Sequence, residues 1–99
     1  MTFVIAQTEA ISAAAATLAN IGAAVSSENL AIAGPTTGVV PAAADDVSVL
    51  TAAQFATHAQ MYQTVSDQAT AIHDMFVNTL AMSSGSYAST EIANASDVR

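Results

Sequence analysis

Large apolar residues recur along this chain at helical spacing, and they mark two stretches of unequal width. In the first, Ile11, Leu18, Val25 and Ile32 repeat every seven residues, with Ala14 and Ile21 between them, a narrow stripe that one neighbouring helix can cover. In the second, from Asp45 to Met82, Leu50, Phe55, His58, Met61, Tyr62, Val65, Ile72, Met75, Phe76 and Leu80 supply the candidate contact residues. Most of them fall on one arc of roughly 200 degrees, whereas a helix resting on a single neighbour needs a stripe of about 100 degrees. The second helix therefore carries more apolar surface than this chain can cover alone.

Breakers and caps set the expected boundaries. Residues 1–7 form an apolar lead-in around Phe3, Val4 and Ile5, and Thr8-Glu9 opens helix 1, with the threonine as cap and the carboxylate at the positive end of the dipole. Gly34-Pro35 predicts an end near Ala33, because proline disfavours a helical residue before it and glycine accepts a C-terminal cap. The connection is then 34–44, and Asp45-Asp46 opens helix 2, which runs 45–82. At the ideal rise the helices are about 39 Å and about 57 Å long. Ser83-Ser84-Gly85-Ser86 breaks the pattern, leaving 83–99 as a frayed, flexible tail.

The expected fold class is all-α: an antiparallel two-helix hairpin that completes a helical bundle with a partner chain. Helix 1 is expected to cover about half of the wide arc, and the remainder to be a partner surface, since large apolar patches are rarely left in water. A homodimeric helical scaffold satisfies the same physics. Met61, Met75 and Met82 along one edge suit an adaptable interface as well as an ordinary core. Gln54, Gln68 and Thr79 lie on the same edge, where burial requires hydrogen-bond partners. Helix 1 carries Ala13, Ala16, Ala19, Ala23, Ala24, Ser26 and Ser27 elsewhere, which reflects helix propensity or permits close approach of another helix.

Composition narrows the function. The 99 residues suit one domain, and the formal charge of −7, from eight acidic residues against one basic residue, excludes nucleic acid as a partner. No cysteine is present, so no disulfide or thiolate site is expected. The start lacks basic residues and no uninterrupted apolar run reaches about 18 residues, so neither a secretory signal peptide nor a membrane span is expected. Asp67 and Asp74 on the polar face disfavour a membrane-surface helix. His58 and His73 stand about 22 Å apart on a straight helix, too far to share a metal, and each is read as a hydrogen-bonded packing residue. His73 and Asp74 point about 100 degrees apart, so they form no base and orienter pair. With no nucleophile elbow and no phosphate loop, neither enzymatic activity nor a cofactor is expected.

The lead-in with Phe3, the alanine-rich first helix, the run Thr36-Thr37-Gly38-Val39-Val40-Pro41-Ala42-Ala43-Ala44-Asp45-Asp46-Val47-Ser48 and the run His73-Asp74-Met75-Phe76-Val77-Asn78-Thr79-Leu80 resemble the mycobacterial PE proteins over essentially the whole chain. In that family a Pro-Glu pair lies near the start; Glu9 matches the glutamate, and Thr8 stands where proline would be. Proline at the first helical position and threonine as a cap are both acceptable openings. The resemblance implies a helical hairpin that forms an obligate heterodimer with a PPE protein. It further implies export of the folded pair from the cytoplasm to the cell surface or medium by a type VII (ESX) secretion system. A cytosolic chaperone is implied to act mainly through the PPE chain. The family's export signal, a tyrosine followed four residues later by an acidic residue, is matched by Tyr87 and Glu91, which share a face if the tail is helical.

Overall fold

Asp45 begins the longer helix as an N-cap. Its Oδ1 accepts the Ser48 amide at 2.8 Å and its Oδ2 accepts the Ser48 hydroxyl at 3.0 Å, while the Asp45 carbonyl accepts the Val49 amide at 3.1 Å. One side chain thus satisfies a donor that the helix itself leaves open. The computed structural model describes residues 4–98, so Phe3 in the lead-in and the terminal Arg99 lie outside the described residues. Two helices account for most of that span, α1 (Thr8–Thr37) and α2 (Asp46–Asp97), and no strand forms among the described residues.

The first helix opens one residue earlier than a threonine cap requires. The Gln7 carbonyl accepts the Ile11 amide at 3.1 Å, which makes Gln7 the cap and Thr8 the first helical residue, the position that also suits proline.

Both expected stops are overrun. α1 continues through Gly34 and Pro35 to Thr37, and no glycine among the described residues adopts a positive φ, so the left-handed cap expected at Gly34 does not form. Glycine lacks the Cβ that clashes with a following proline ring, which keeps the helical conformation open to Gly34. Thr36 and Thr37 then donate their hydroxyls to the carbonyls of Ile32 and Ala33, each at 2.6 Å, and the Gly38 amide donates to the Gly34 carbonyl at 3.0 Å. The hydroxyl bonds run back four residues and add to the backbone ladder, while the Gly38 bond gives the Gly34 carbonyl a donor from beyond the last helical residue. The connection is accordingly 38–45 rather than 34–44.

α2 likewise passes through Ser83-Ser84-Gly85-Ser86 and ends at Asp97, so the segment beyond Met82 is helical rather than frayed. Ser84 is only 7 % exposed and donates its hydroxyl to the Thr8 carbonyl at 2.8 Å. Packing against α1 outweighs the poor helix propensity of serine and glycine at this point.

The residues fall into two units, a terminal unit of Met1–Gly22 with His73–Arg99 and a turn unit of Ala23–Ile72. Within each, a piece of α1 runs antiparallel to a piece of α2. In the terminal unit Leu18, Thr8 and Ala6 are bonded to His73, Ser84 and Glu91 in turn. In the turn unit Asn29 meets Tyr62, Gln63 and Ser66.

The turn-unit seam is made of small and polar residues, and the terminal seam adds a few aliphatic ones. In the turn unit the least exposed positions are Ser26, Asn29, Ala33 and Thr37 on α1, and Ser48, Ala52, Ala56, Ala59, Gln63, Ser66 and Thr70 on α2. In the terminal unit they are Ala6, Thr8, Ile11, Ala15, Leu18 and Gly22, and His73, Val77, Leu80, Ser83, Ser84, Ala88 and Glu91. The recurring steps of three and four residues are those of one helix face against another. Ala15 and Ala52, at 4 % and 6 % exposed, are the buried apolar residues, and no large side chain is fully buried among the described residues.

By length and mean hydropathy α1 does meet the requirement for a membrane-crossing helix, with an 18-residue window at 1.4. An uninterrupted apolar run is not needed to reach that value, because alanine raises it while Ser12, Thr17, Asn20, Ser26 and Asn29 interrupt the run. Composition of this kind on one helix is weak ground for a span.

Candidate functional site

The turn-unit seam holds only alanine and polar residues, and of the large aliphatic residues of α2 the terminal seam takes Val77 and Leu80, so the other bulky residues of α2 point outward. In the turn unit Leu50, Phe55, Met61, Tyr62, Val65 and Ile72 are each half to two-thirds exposed. In the terminal unit Met75, Phe76 and Met82 are similarly exposed. Helix 1 therefore covers almost none of the wide arc, against the expected half. A large side chain on the seam would hold the two helix axes apart, whereas alanine lets them approach, and close pairing leaves the arc on the outside.

The candidate residues separate accordingly. Ile11 and Leu18 of the helix 1 stripe are partly buried on the seam, whereas Ile21, Val25 and Ile32 are exposed. A strict seven-residue repeat drifts by about 20 degrees per heptad on a straight helix, so it cannot follow one seam for the length of α1. Leu80, grouped with the wide arc, is partly buried on the seam instead. Gln54, Gln68 and Thr79 are exposed, which relieves them of any need for a buried partner.

Near the connection, Ile32, Pro35, Thr36 and Val39 meet Phe55, His58, Ala59 and Tyr62 around an open apolar groove of about 390 Å³. A second groove of about 260 Å³ lies among Val39, Val40, Ala42, Val47, Ser48, Thr51, Ala52 and Phe55. Phe55 borders both. Exposed His58 is thus a wall of an apolar groove and Ile32 is its opposite wall.

His73 behaves differently. It is partly buried in the terminal unit, and its Nε2 lies 2.7 Å from the Leu18 carbonyl oxygen. A carbonyl only accepts, so Nε2 carries the proton and donates. Access depends on Gly22: a Cβ there would stand 2.6 Å from Cδ2 and 2.7 Å from Nε2 of His73. The missing side chain opens a path for the imidazole to a carbonyl inside α1.

Asn29 was not singled out by periodicity, yet it is the polar centre of the turn unit. Its Nδ2 donates to Ser66 Oγ at 2.5 Å, its Oδ1 accepts the Tyr62 hydroxyl at 2.8 Å, and its backbone carbonyl accepts Gln63 Nε2 at 3.2 Å. Tyr62 therefore presents its ring outward and ties its hydroxyl back to α1. The available signal was the spacing Gln63, Ser66, Thr70, His73, which repeats polar residues at steps of three and four along a helix otherwise rich in apolar ones.

Tyr87 and Glu91 lie one turn apart on α2 in the terminal unit, on neighbouring positions of one face. Tyr87 is exposed and Glu91 partly buried. The Ala6 amide donates to Glu91 Oε1 at 3.0 Å.

Comparison with known proteins agrees with this pattern of residues. The model of the PE family matches residues 4–94. The PE family protein PE13 of Mycobacterium tuberculosis is 63 % identical over 95 residues, 96 % of each chain. Longer relatives match only at one part: PE8 of the same organism is 51 % identical over 97 % of this chain but 35 % of its own length. The PE-PGRS family protein PE_PGRS11, also from that organism, is 50 % identical over the whole of this chain and 17 % of its own. With nearly its full described length inside the family match and with PE13 aligned over 96 % of each chain, the chain belongs to the PE family.

Proposed function

We propose that this PE family chain is a non-enzymatic interaction module that forms an obligate helical heterodimer with a PPE protein and carries the export signal of the pair. The observation that supports this reading is the outward placement of Phe55, Met61, Tyr62, Val65, Ile72, Met75 and Phe76, which the seams with α1 leave exposed. Such surface is costly in water, at about 25 cal/mol for each Å² left uncovered, and a second helical chain laid on it completes a bundle. The partner covers the large side chains that α1 leaves exposed. Tyr87 and Glu91 then serve as the signal read by a type VII (ESX) secretion system, so the pair is exported to the surface or medium after assembling in the cytoplasm. A PPE-directed chaperone acts through the partner chain.

Co-expression with candidate PPE proteins tests the reading. Tyr62→Asp and Phe76→Asp are expected to abolish co-purification, and Tyr87→Ala to preserve it while stopping export. Cooperative folding of the chain alone at the mass of a symmetric dimer would instead identify a homodimeric scaffold.

A further inference from the structure

We infer that the N-terminal segment 4–7 is a releasable latch on the C-terminal end of α2, holding one oxygen of Glu91 through the Ala6 amide. This inference rests on the proposed role of Tyr87 and Glu91 only for its consequence in export; the latch itself stands on geometry. Ala6 precedes the first helical residue of α1, so its amide belongs to no helical ladder and needs an outside acceptor. Glu91 Oε1 provides one at 3.0 Å in a part-buried setting, and a carboxylate acceptor makes this a stronger bond than one between neutral groups.

Little else holds the segment. Val4 is 94 % exposed and Ile5 is 65 % exposed, so apolar burial contributes little to docking. Between them and Glu91, Asn94, Asp97 and Val98 lies an open groove of about 330 Å³ rather than a packed contact. The segment is therefore tied to α2 at one point, with exposed residues before it and the Gln7 cap of α1 after it. Tyr87 is exposed, and its companion one turn on is engaged within the chain. A receptor that takes both carboxylate oxygens of Glu91 together with Tyr87 displaces the Ala6 amide, and by reciprocity release of the segment favours that receptor.

Hydrogen exchange on the full chain in its native assembly tests the latch, with three variants separating it from the export reading. Glu91→Ala is expected to accelerate amide exchange in residues 4–7 by roughly tenfold, the equivalent of one hydrogen bond to a charged group, while the middle of α1 is unchanged. Tyr87→Ala is expected to leave exchange in 4–7 as it is. Unaltered exchange in the Glu91→Ala protein overturns the latch. Ala6→Pro removes the donor and leaves both signal residues intact, so export is expected to rise; export at or below the unmodified level overturns the competition between segment and receptor. Normal export of Tyr87→Ala with the Glu91→Ala effect present would remove the signal reading and leave the latch standing.

Discussion

The terminal and turn units pair the same two helices by different means. The terminal unit has Ile11, Leu18, Val77 and Leu80 on its seam, and its cross-helix bonds run between side chain and backbone: His73 to Leu18, Ser84 to Thr8, and Glu91 to Ala6. The turn unit has only alanine and polar residues on its seam, and its cross-helix bonds meet at Asn29. A bond to main chain specifies a register without requiring a particular side chain opposite, so the terminal unit depends on access to the backbone. The turn unit depends on one asparagine.

Gly22→Val is the harshest way to break that contrast. A Cβ at this position meets the imidazole of His73 at 2.6 Å, which forces the ring off the Leu18 carbonyl and adds bulk to a close contact. Overpacking of this kind costs about 1–3 kcal/mol, and thermal unfolding is expected to show it. Gly22→Ala should cost less, because alanine recovers about 1 kcal/mol of helix propensity.

The turn unit is expected to lose somewhat less on Asn29→Ala. The substitution removes the bonds to Ser66 and Tyr62 but leaves both hydroxyls near water, so about 1 kcal/mol is the expected loss in denaturant titration. It should fall in the turn unit: exchange of amides in residues 26–33 and 59–66 should accelerate, with residues 73–84 unaffected. Equal acceleration in both units would show that the two seams are energetically one.

Gly85 sharpens the comparison from within the terminal unit, since a Cβ built there meets nothing within 4 Å. Gly85→Ala is therefore expected to stabilise α2 by somewhat under 1 kcal/mol, seen as a higher unfolding temperature. Two helical glycines thus carry opposite predictions for one substitution.

The existence of two helices was legible in the sequence because the spacing of Ile11, Leu18, Phe55, Val65 and Ile72 is helical over long stretches, and Asp45 announced its own cap. The helix ends were not, and the reason is physical. Gly34-Pro35 and Ser83-Ser84-Gly85-Ser86 are breakers by local propensity, but a glycine before proline can stay helical, and Ser84 packs on α1 with its hydroxyl on the Thr8 carbonyl. For the candidate surface, the width of the arc was readable from hydrophobic residues alone. Which side faces α1 was not, because a search for large apolar residues overlooks a seam built from Ala52, Ala56, Ala59 and Ser66. His73 was legible as a packing histidine; the glycine that admits it was not, since Gly22 lies 51 positions away in sequence.

The mildest test concerns the end of α2 that begins the turn unit's second arm. The amide and hydroxyl of Ser48, donating to the Asp45 carboxylate, hold its pKa below the ordinary value of 3.8. Both bonds favour the ionised form, so the folded pKa lies below the unfolded one. The stabilisation is then fully present above the unfolded value and is lost as pH falls through the folded one. As the pH falls below 3.8 the first turn of α2 is expected to fray, read as reduced exchange protection at Ser48 and Val49 relative to the intrinsic rate at each pH and a small loss of helical circular dichroism. Asp45→Asn keeps an acceptor oxygen without a titrating charge, so the protection of its first turn should stay constant across that range. Since Asp45 is fully exposed, added salt should shrink the difference between the two proteins. A pH response confined to the terminal unit would place the acid-sensitive group elsewhere.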